Sequence, residues 1–377
     1  MHIANSAAPR FQSAHDQFRY GIKAAPIDFY DFFSGCGGTS CGMRQAGMTV
    51  RLGIDIDPDS ERTYRENFPG ADFLRRDIRT LDVSEVSDLI KRYPDRALLF
   101  GACAPCQPFS KQNQQKDKND GRRHLLSNFN RFIEAFLPEY VFVENVPGLQ
   151  VINEQNGPFA DFLSLLRKLD YFYDYAVVMA YHYGVPQSRR RLVLIASRLG
   201  QIKFPLPTHG LGTGDPKLPT VWHWIGDLPP LNAGESHPSI PNHRAARLSD
   251  LNYRRIAATP EGGGRVDWPE ELMLNCHKRH GGHTDVYGRM LKDRPSAALT
   301  TRCISLSNGR FGHPEQNRAI SVREAASLQT FPRDFVFHGS LNSMARQVGN
   351  AVPVEMARVF GEVFVNHYEA FRTRGSV

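Results

Sequence analysis

Two cysteines three residues apart, Cys103 and Cys106, lie in the stretch LLFGACAPCQPFSKQNQQKDKNDGRR at residues 98–123. That spacing fits half of a zinc site, a redox pair, or one nucleophilic thiol beside an incidental one. A structural zinc site takes about four ligands, and Cys36, Cys41, Cys276 and Cys303 supply no second Cys-x-x-Cys pair. The cluster CHKRHGGH at 276–283 has donors at no recognised zinc spacing, so no metal is expected. A redox pair would open a helix near the front of a small fold, whereas Pro108 and a polar run follow here. Cys103 falls inside the apolar run ALLFGAC and reads as a core residue. Cys106 comes just beyond it, beside a basic loop, where a thiol of lowered pKa can act as a nucleophile.

Glu144 closes an apolar run in FVENVPGL. Alone it could simply cap a helix; on a strand beside that of Cys106 it is a candidate acid. In YGVPQSRRRLVLIAS, Arg189 and Arg191 are two apart entering a strand and share a face, suited to a phosphate or a base carbonyl, while Arg190 reads as solvated charge. Gly35, Gly37 and Gly38 in SGCGG let backbone approach a ligand closely or merely make a tight turn. The stretch is neither the spaced glycine fingerprint of NAD enzymes nor a phosphate loop. Asp55, twenty residues after Gly35, stands where α/β sheets hold ribose hydroxyls, which favours an adenosine ligand without pyrophosphate.

These residues need a scaffold, and the sequence supplies one. Short apolar runs at 27–33 (IDFYDFF), 49–57 (TVRLGIDID), 97–102 (ALLFGA), 140–146 (YVFVENV), 171–180 (YFYDYAVVMA) and 191–197 (RLVLIAS) are separated by helix-length segments. They predict an α/β fold with a buried, mostly parallel sheet and helices on both faces. Pro58 and Asp59 suit a helix start. Residues 205–290 are rich in Pro, Gly, His and Asn and predict a smaller, loop-rich domain. The C-terminal stretch turns at VGNAVP and then reads as a helix, with Val354, Met356, Val359, Phe360, Val363 and Phe364 set to dock on the larger body. The expected division is a large domain of 1–200 completed by 342–377, and a small one of 201–341.

The 377 residues are 41% hydrophobic and 23% charged, ordinary for a globular protein, with no apolar run long enough for a membrane helix and no secretory apolar core at the start. A cytosolic protein with reduced thiols is expected. The net charge is +7 and the pI about 9.1, compatible with a polyanionic partner. Basic excess gathers at 242–310, with twelve Lys and Arg against seven Asp and Glu, and at 111–123, with five against two.

In this order the motifs resemble those of the cytosine-5 DNA methyltransferases over nearly the whole chain. DFFSGCGGTSCGMRQAGM resembles the first cofactor motif, GIDIDP the ribose-binding segment, and RRDI (75–78) the segment whose acid reads adenine. GACAPCQPFS is similar to the Pro-Cys-Gln nucleophile motif, FVENVPGL to the Glu-Asn-Val motif, and QSRRR to the Gln-x-Arg-x-Arg motif. RPSAALTTR with REAASLQTFP resembles the segment closing the recognition region, and RQVGNAVP the last motif. The family often has Pro or Phe where Ala104 precedes Pro105, a departure that leaves the chemistry untouched.

The resemblance implies a Rossmann-like S-adenosylmethionine-dependent methyltransferase domain with a smaller loop-rich target-recognition domain. It implies that Cys106, supported by Gln107, attacks carbon 6 of cytosine, with Glu144 as acid, Arg191 on the base carbonyl and Arg189 supporting the site. It places Phe33, Gly35, Gly37, Asp55, Ile56, Asp77, Ile78, Pro105, Asn350 and Val352 on the cofactor. The base must leave the duplex, so the loop after Cys106, with Ser110, Lys111, Arg122 and Arg123, is expected against flipped DNA. Arg265, Lys278, Arg279, Arg289 and Arg302 are expected on phosphates or base edges. The implied partners are double-stranded DNA and a cognate restriction endonuclease, and the implied enzyme is a monomer in the bacterial cytoplasm. A tRNA-directed relative and a non-catalytic DNA-binding relative are the alternatives.

Overall fold

The computed structural model describes residues 24–104, 125–147, 157–213, 215–273 and 285–374. Pro105, Cys106, Gln107, Ser110, Lys111, Arg122, Arg123, Lys278 and Arg279 lie outside the described residues.

Continuous apolar runs became buried strands. β1 (Ile27–Phe32), β4 (Ala97–Ala102) and β5 (Tyr140–Asn145) are buried at every position, as strands covered on both faces must be. With β2 (Thr49–Asp55), β3 (Asp72–Arg75), β6 (Phe172–Met179) and β8 (Arg190–Ser197) they form one seven-stranded sheet of order β3-β2-β1-β4-β5-β8-β6. Pairing is parallel from β3 to β5, while β8 is antiparallel to both β5 and β6. The reversal has a simple cause. A parallel neighbour needs a long crossover, and only residues 180–189 connect β6 to β8, turning through Gly184 at φ 81°. The periodicity predicted six of these strands; β3 is four residues long and only Phe73 in it is buried.

Helices α1 (Gly38–Gln45), α2 (Pro58–Asn67), α3 (Val83–Ser87), α4 (Leu125–Phe136) and α5 (Pro158–Lys168) follow the first five strands in alternation. α2 begins as expected, with Pro58 in its first turn and the Asp57 carboxylate accepting from Ser60 N–H at 2.9 Å. One apolar layer, with Phe32, Phe100, Phe129, Phe132 and Phe162, packs beneath one face of the sheet. The layer on the other face joins Phe29, Phe142, Phe360 and Phe364 to Ile320, Phe331, Phe335 and Phe337 in a single cluster, so this core runs unbroken into the 201–341 segment. A separate small core holds Ile256, Trp268, Leu272, Tyr287, Leu306 and Ala319.

The loop-rich stretch contains the short helices α6 (Val221–Ile225) and α7 (Asp250–Ala257) and returns to the large body through α8 (Val322–Leu328) and α9 (Leu341–Asn350). Strand β7 (Gln187–Ser188) pairs with β9 (Ser296–Ala297), tying the two parts together. VGN proves to be the end of α9, and the turn is confined to 351–353 before α10 (Val354–Arg374). α10 closes on α1 so tightly that a Cβ at Gly42 would stand 2.5 Å from Ala357 Cβ.

Candidate active site

The carboxyl ends of β4 and β5 lie side by side, with Ala102 opposite Val143, so the chain entering Pro105 runs next to Glu144. Asn145, 2% exposed, fastens the two: its Nδ2 donates to Ala104 O at 3.2 Å and its Oδ1 accepts from Val146 N–H at 2.7 Å. Cys103, read from the sequence as a core residue, is half-buried and packs against the edge of the core. Its Sγ lies 3.3 Å from Thr39 Oγ1 at the start of α1. Burial, and then the neighbouring Glu144, push this thiol well above the ordinary cysteine range, so it stays protonated.

β8 brings the arginines to the same edge. Glu144 is 7% exposed, and Arg191 Nε stands 2.8 Å from its Oε1, while Arg191 Nη1 donates to Arg190 O at 2.6 Å. Burial lowers the Arg191 pKa, and Glu144 opposes that shift. Arg190 points to solvent, as the two-residue period of a strand requires.

Arg189, expected to support the site, turns inward. It is 2% exposed and donates to Leu299 O, Gly349 O and Ala351 O at 3.1–3.2 Å, so its guanidinium is committed to buried backbone carbonyls. Burial brings its pKa down to about 9, which leaves it charged at neutral pH. Gln187 and Gln329 extend this polar spine. Gln187 Oε1 accepts from Leu299 N–H at 2.9 Å, Gln187 Nε2 donates to Gln329 Oε1 at 3.1 Å, and Gln329 Nε2 donates to Val348 O at 2.7 Å. A Cβ at Gly349 would stand 2.1 Å from Thr300 O, so the spine admits only glycine there. Sequence reasoning assigned no role to Asn145, Gln187 or Gln329, although all three lie inside motifs it singled out.

The glycine turn stands at the ends of β1 and β2. Gly35 N–H donates to Asp55 Oδ2 at 2.8 Å and Asp57 N–H to Asp55 Oδ1 at 3.0 Å. Burial raises the Asp55 pKa and these backbone donors lower it. Gly35 has φ +51° and a Cβ there would meet nothing within 4 Å, whereas at Gly37, φ +94°, it would meet the Phe68 ring at 2.5 Å. Gly35 thus faces open space and Gly37 is a packing glycine. Phe33, half-buried at φ 60°, and Ile56, 60% exposed, flank that space.

Asp77 is bound by Arg79, with Nε at 2.9 Å and Nη2 at 2.5 Å from its Oδ2, and this partner lowers its pKa. Ile78 is 5% exposed and packs with Leu81 and Val86, so its side chain belongs to the core. Val352, 3% exposed, presents its carbonyl to Gly38, and Asn350 is exposed. An acid at a strand end, an open glycine and an uncovered isoleucine fit the ribose and adenine of S-adenosylmethionine. Asp55→Ala is expected to weaken that cofactor about 10- to 100-fold by loss of charge-assisted hydrogen bonds. Calorimetric titration checks this, and an unaltered dissociation constant would count against the ribose role.

Two of the residues expected on DNA, Arg289 and Arg265, are buried. Arg289, 4% exposed, donates to Thr259 O, Ile256 O, His313 O, Gln316 O and Asn317 Oδ1 at 2.5–2.9 Å. Its guanidinium organises the small core and is enclosed within it. Arg265 is likewise 4% exposed, whereas Arg302 is exposed. Arg289→Ala is expected to lower stability by about 3 kcal/mol, since buried carbonyls lose their donors. Denaturant unfolding checks this, and full stability with weakened DNA binding would restore the original expectation.

This sheet, with an acid and an arginine paired beside the entry to a Pro-Cys-Gln motif, defines a base-modifying methyltransferase. A family model for C-5 cytosine-specific DNA methylases matches residues 27–366, and the chain belongs to that family. It uses S-adenosylmethionine as methyl donor. The chain is 40% identical over 355 residues to the Type II methylase M.HgiDII of Herpetosiphon aurantiacus, covering 92% of this chain and 97% of that one. It is 35% identical to the Type II methyltransferase M1.HphI of Haemophilus parahaemolyticus, covering 91% and 88%. Among solved structures, a DNA modification methyltransferase encoded within an Escherichia coli prophage shares the fold with a TM-score of 0.70 at 23% identity, covering 90% of this chain and 99% of that chain. Among the described residues, no helix is long and apolar enough to cross a membrane.

Proposed function

We propose that this DNA cytosine-5 methyltransferase acts on a cytosine flipped out of a specific duplex sequence, through a covalent bond from Cys106 to carbon 6. The observation that carries the reading is the Glu144–Arg191 pair beside Ala104, joined to it by Asn145. Carbon 5 of cytosine is too weak a nucleophile to take a methyl group unaided. Addition of the Cys106 thiolate to carbon 6 turns the ring into an enamine, and Glu144, donating to the endocyclic nitrogen, stabilises it. Arg191 sets the Glu144 carboxyl and meets the base carbonyl. S-adenosylmethionine, when bound, supplies the electrophilic methyl group that carbon 5 accepts. Loss of the carbon 5 proton then returns electrons to the ring and expels Cys106 as thiolate.

The base leaves the stack at a cost of a few kcal/mol. Lys111, Arg122, Arg123, Lys278, Arg279 and Arg302, with Ser110, are the proposed contacts to DNA, and residues 201–341 the part that selects the sequence. Gln107 and Pro105 are proposed to support the nucleophile and the cofactor. The relatives' Type II character favours a modification role opposite an endonuclease that cuts the same site, performed by a monomer in the cytoplasm. Bisulfite or nanopore sequencing of DNA from cells expressing the protein tests this: 5-methylcytosine at one position of one sequence is expected. Tritiated methyl groups incorporated only into tRNA would overturn it.

A further inference from the structure

Asp31, near the carboxyl end of β1, is 1% exposed. Its register neighbours are Gly53 on β2 and Gly101 on β4, so neither adjoining strand places a Cβ beside its carboxylate. The Tyr64 ring fills the space over Gly53 and the Phe29 ring that over Gly101. In the slot that remains, under the first turn of α1, Ser40 Oγ donates to Asp31 Oδ2 at 2.6 Å and contacts Tyr64 OH at 2.9 Å. Asp31 Oδ1 is buried with no hydrogen-bond partner. The groups that face the carboxylate are Ser40 from α1, Cys36 from the glycine turn, Tyr64 from α2, Asp55 from β2 and Cys103 beyond β4. None of them carries a positive charge.

A buried carboxylate without a cationic partner is costly to ionise. The glycine turn follows Asp31 in the chain, and Asp55, which Gly35 binds, acts electrostatically on the Asp31 carboxyl; in the methyltransferase reading that turn receives a ligand whose charge changes during the reaction. The methyl donor carries a sulfonium cation, and the S-adenosylhomocysteine left after transfer has a neutral sulfide in its place. Apart from that methyl group and charge, the two are identical.

We propose that Asp31 is a charge-discriminating residue of the cofactor site, favouring the sulfonium donor over the uncharged product and so easing exchange after each turnover. The inference rests on the methyltransferase reading and concerns a residue that this reading leaves without a role. Burial raises the Asp31 carboxyl to about 7, with Ser40 lowering it and Asp55 raising it. The carboxyl is therefore neutral below that pH and ionised above it. A cation bound nearby favours the ionised form, so donor affinity falls as pH drops through 7, whereas product affinity is expected to change little.

The test is calorimetric titration of S-adenosylmethionine and S-adenosylhomocysteine into the intact protein, wild type and Asp31→Asn, at about pH 6 and about pH 8.5. The wild-type preference for donor over product is expected to fall about tenfold from the higher to the lower pH, the equivalent of one pKa unit of coupling. In Asp31→Asn the preference should sit at the low value at both. A purely structural role would weaken both ligands alike and leave their ratio unmoved. A wild-type ratio independent of pH, or a variant that keeps the wild-type dependence, would overturn the inference. The wild-type series decides the matter alone if the variant does not fold. Failure of both compounds to bind would instead count against the methyltransferase reading.

Discussion

Cys106→Ser is expected to lower turnover by about 10⁴-fold or more while leaving the dissociation constant for S-adenosylmethionine within about twofold of wild type. A serine hydroxyl at neutral pH is a far weaker nucleophile than a thiolate, and without addition at carbon 6 the ring never gains the electron density that carbon 5 needs. Among the described residues, Asp55 is held by Gly35 and Asp57, and Ile56 stands uncovered. The comparison also separates Cys106 from Cys103. Cys103 is half-buried against Thr39, and its thiol is pushed away from ionisation. Cys103→Ser should therefore retain the covalent step. Single-turnover methyl transfer with calorimetric cofactor binding checks both variants, and wild-type turnover in Cys106→Ser would dismiss the nucleophile.

Glu144→Gln is expected to slow methyl transfer by about 10²- to 10⁴-fold, the range for loss of a positioned general acid. Glutamine can still present an amide to the ring nitrogen but has no proton to give as negative charge develops there. The same substitution replaces the carboxyl group 2.8 Å from Arg191 Nε with an amide, leaving a largely buried cation without its ion-pair partner. A lowered melting temperature should accompany the loss in rate. Cofactor affinity is the internal control. Rapid-quench kinetics on the sequence found by methylation mapping checks the effect, and a wild-type rate would remove the acid role from Glu144.

Much of this architecture was legible because the sheet is buried on both faces. Continuous apolar runs gave β1, β4 and β5, and their spacing placed Glu144 beside the chain entering Cys106. The reversal of β8 was not legible, because an apolar run reads the same forwards and backwards; the short 180–189 connection decided it. The arginine pair shows both sides of the matter. Spacing put Arg189 and Arg191 on one face, but only the fold shows Arg189 surrounded by the carbonyls of Leu299, Gly349 and Ala351, more than 100 residues away.

Polar spines share that property. Gln187 meets Gln329 across 142 residues, a distance at which composition and periodicity carry no signal. The burial of Arg289 was not legible for a related reason: charge counts do not distinguish a guanidinium facing solvent from one bound by buried carbonyls.

The most direct test of the central claim is a trapping experiment. The protein is incubated with S-adenosylmethionine and a duplex bearing 5-fluorocytosine at the mapped target position. Fluorine at carbon 5 replaces the proton whose loss would release the enzyme. The account predicts a methylated protein–DNA adduct stable to denaturation, formed by wild type, absent with Cys106→Ser, and localised by peptide mapping to Cys106. Efficient methylation of ordinary duplex without any trapped adduct, or an adduct on another residue, would contradict it.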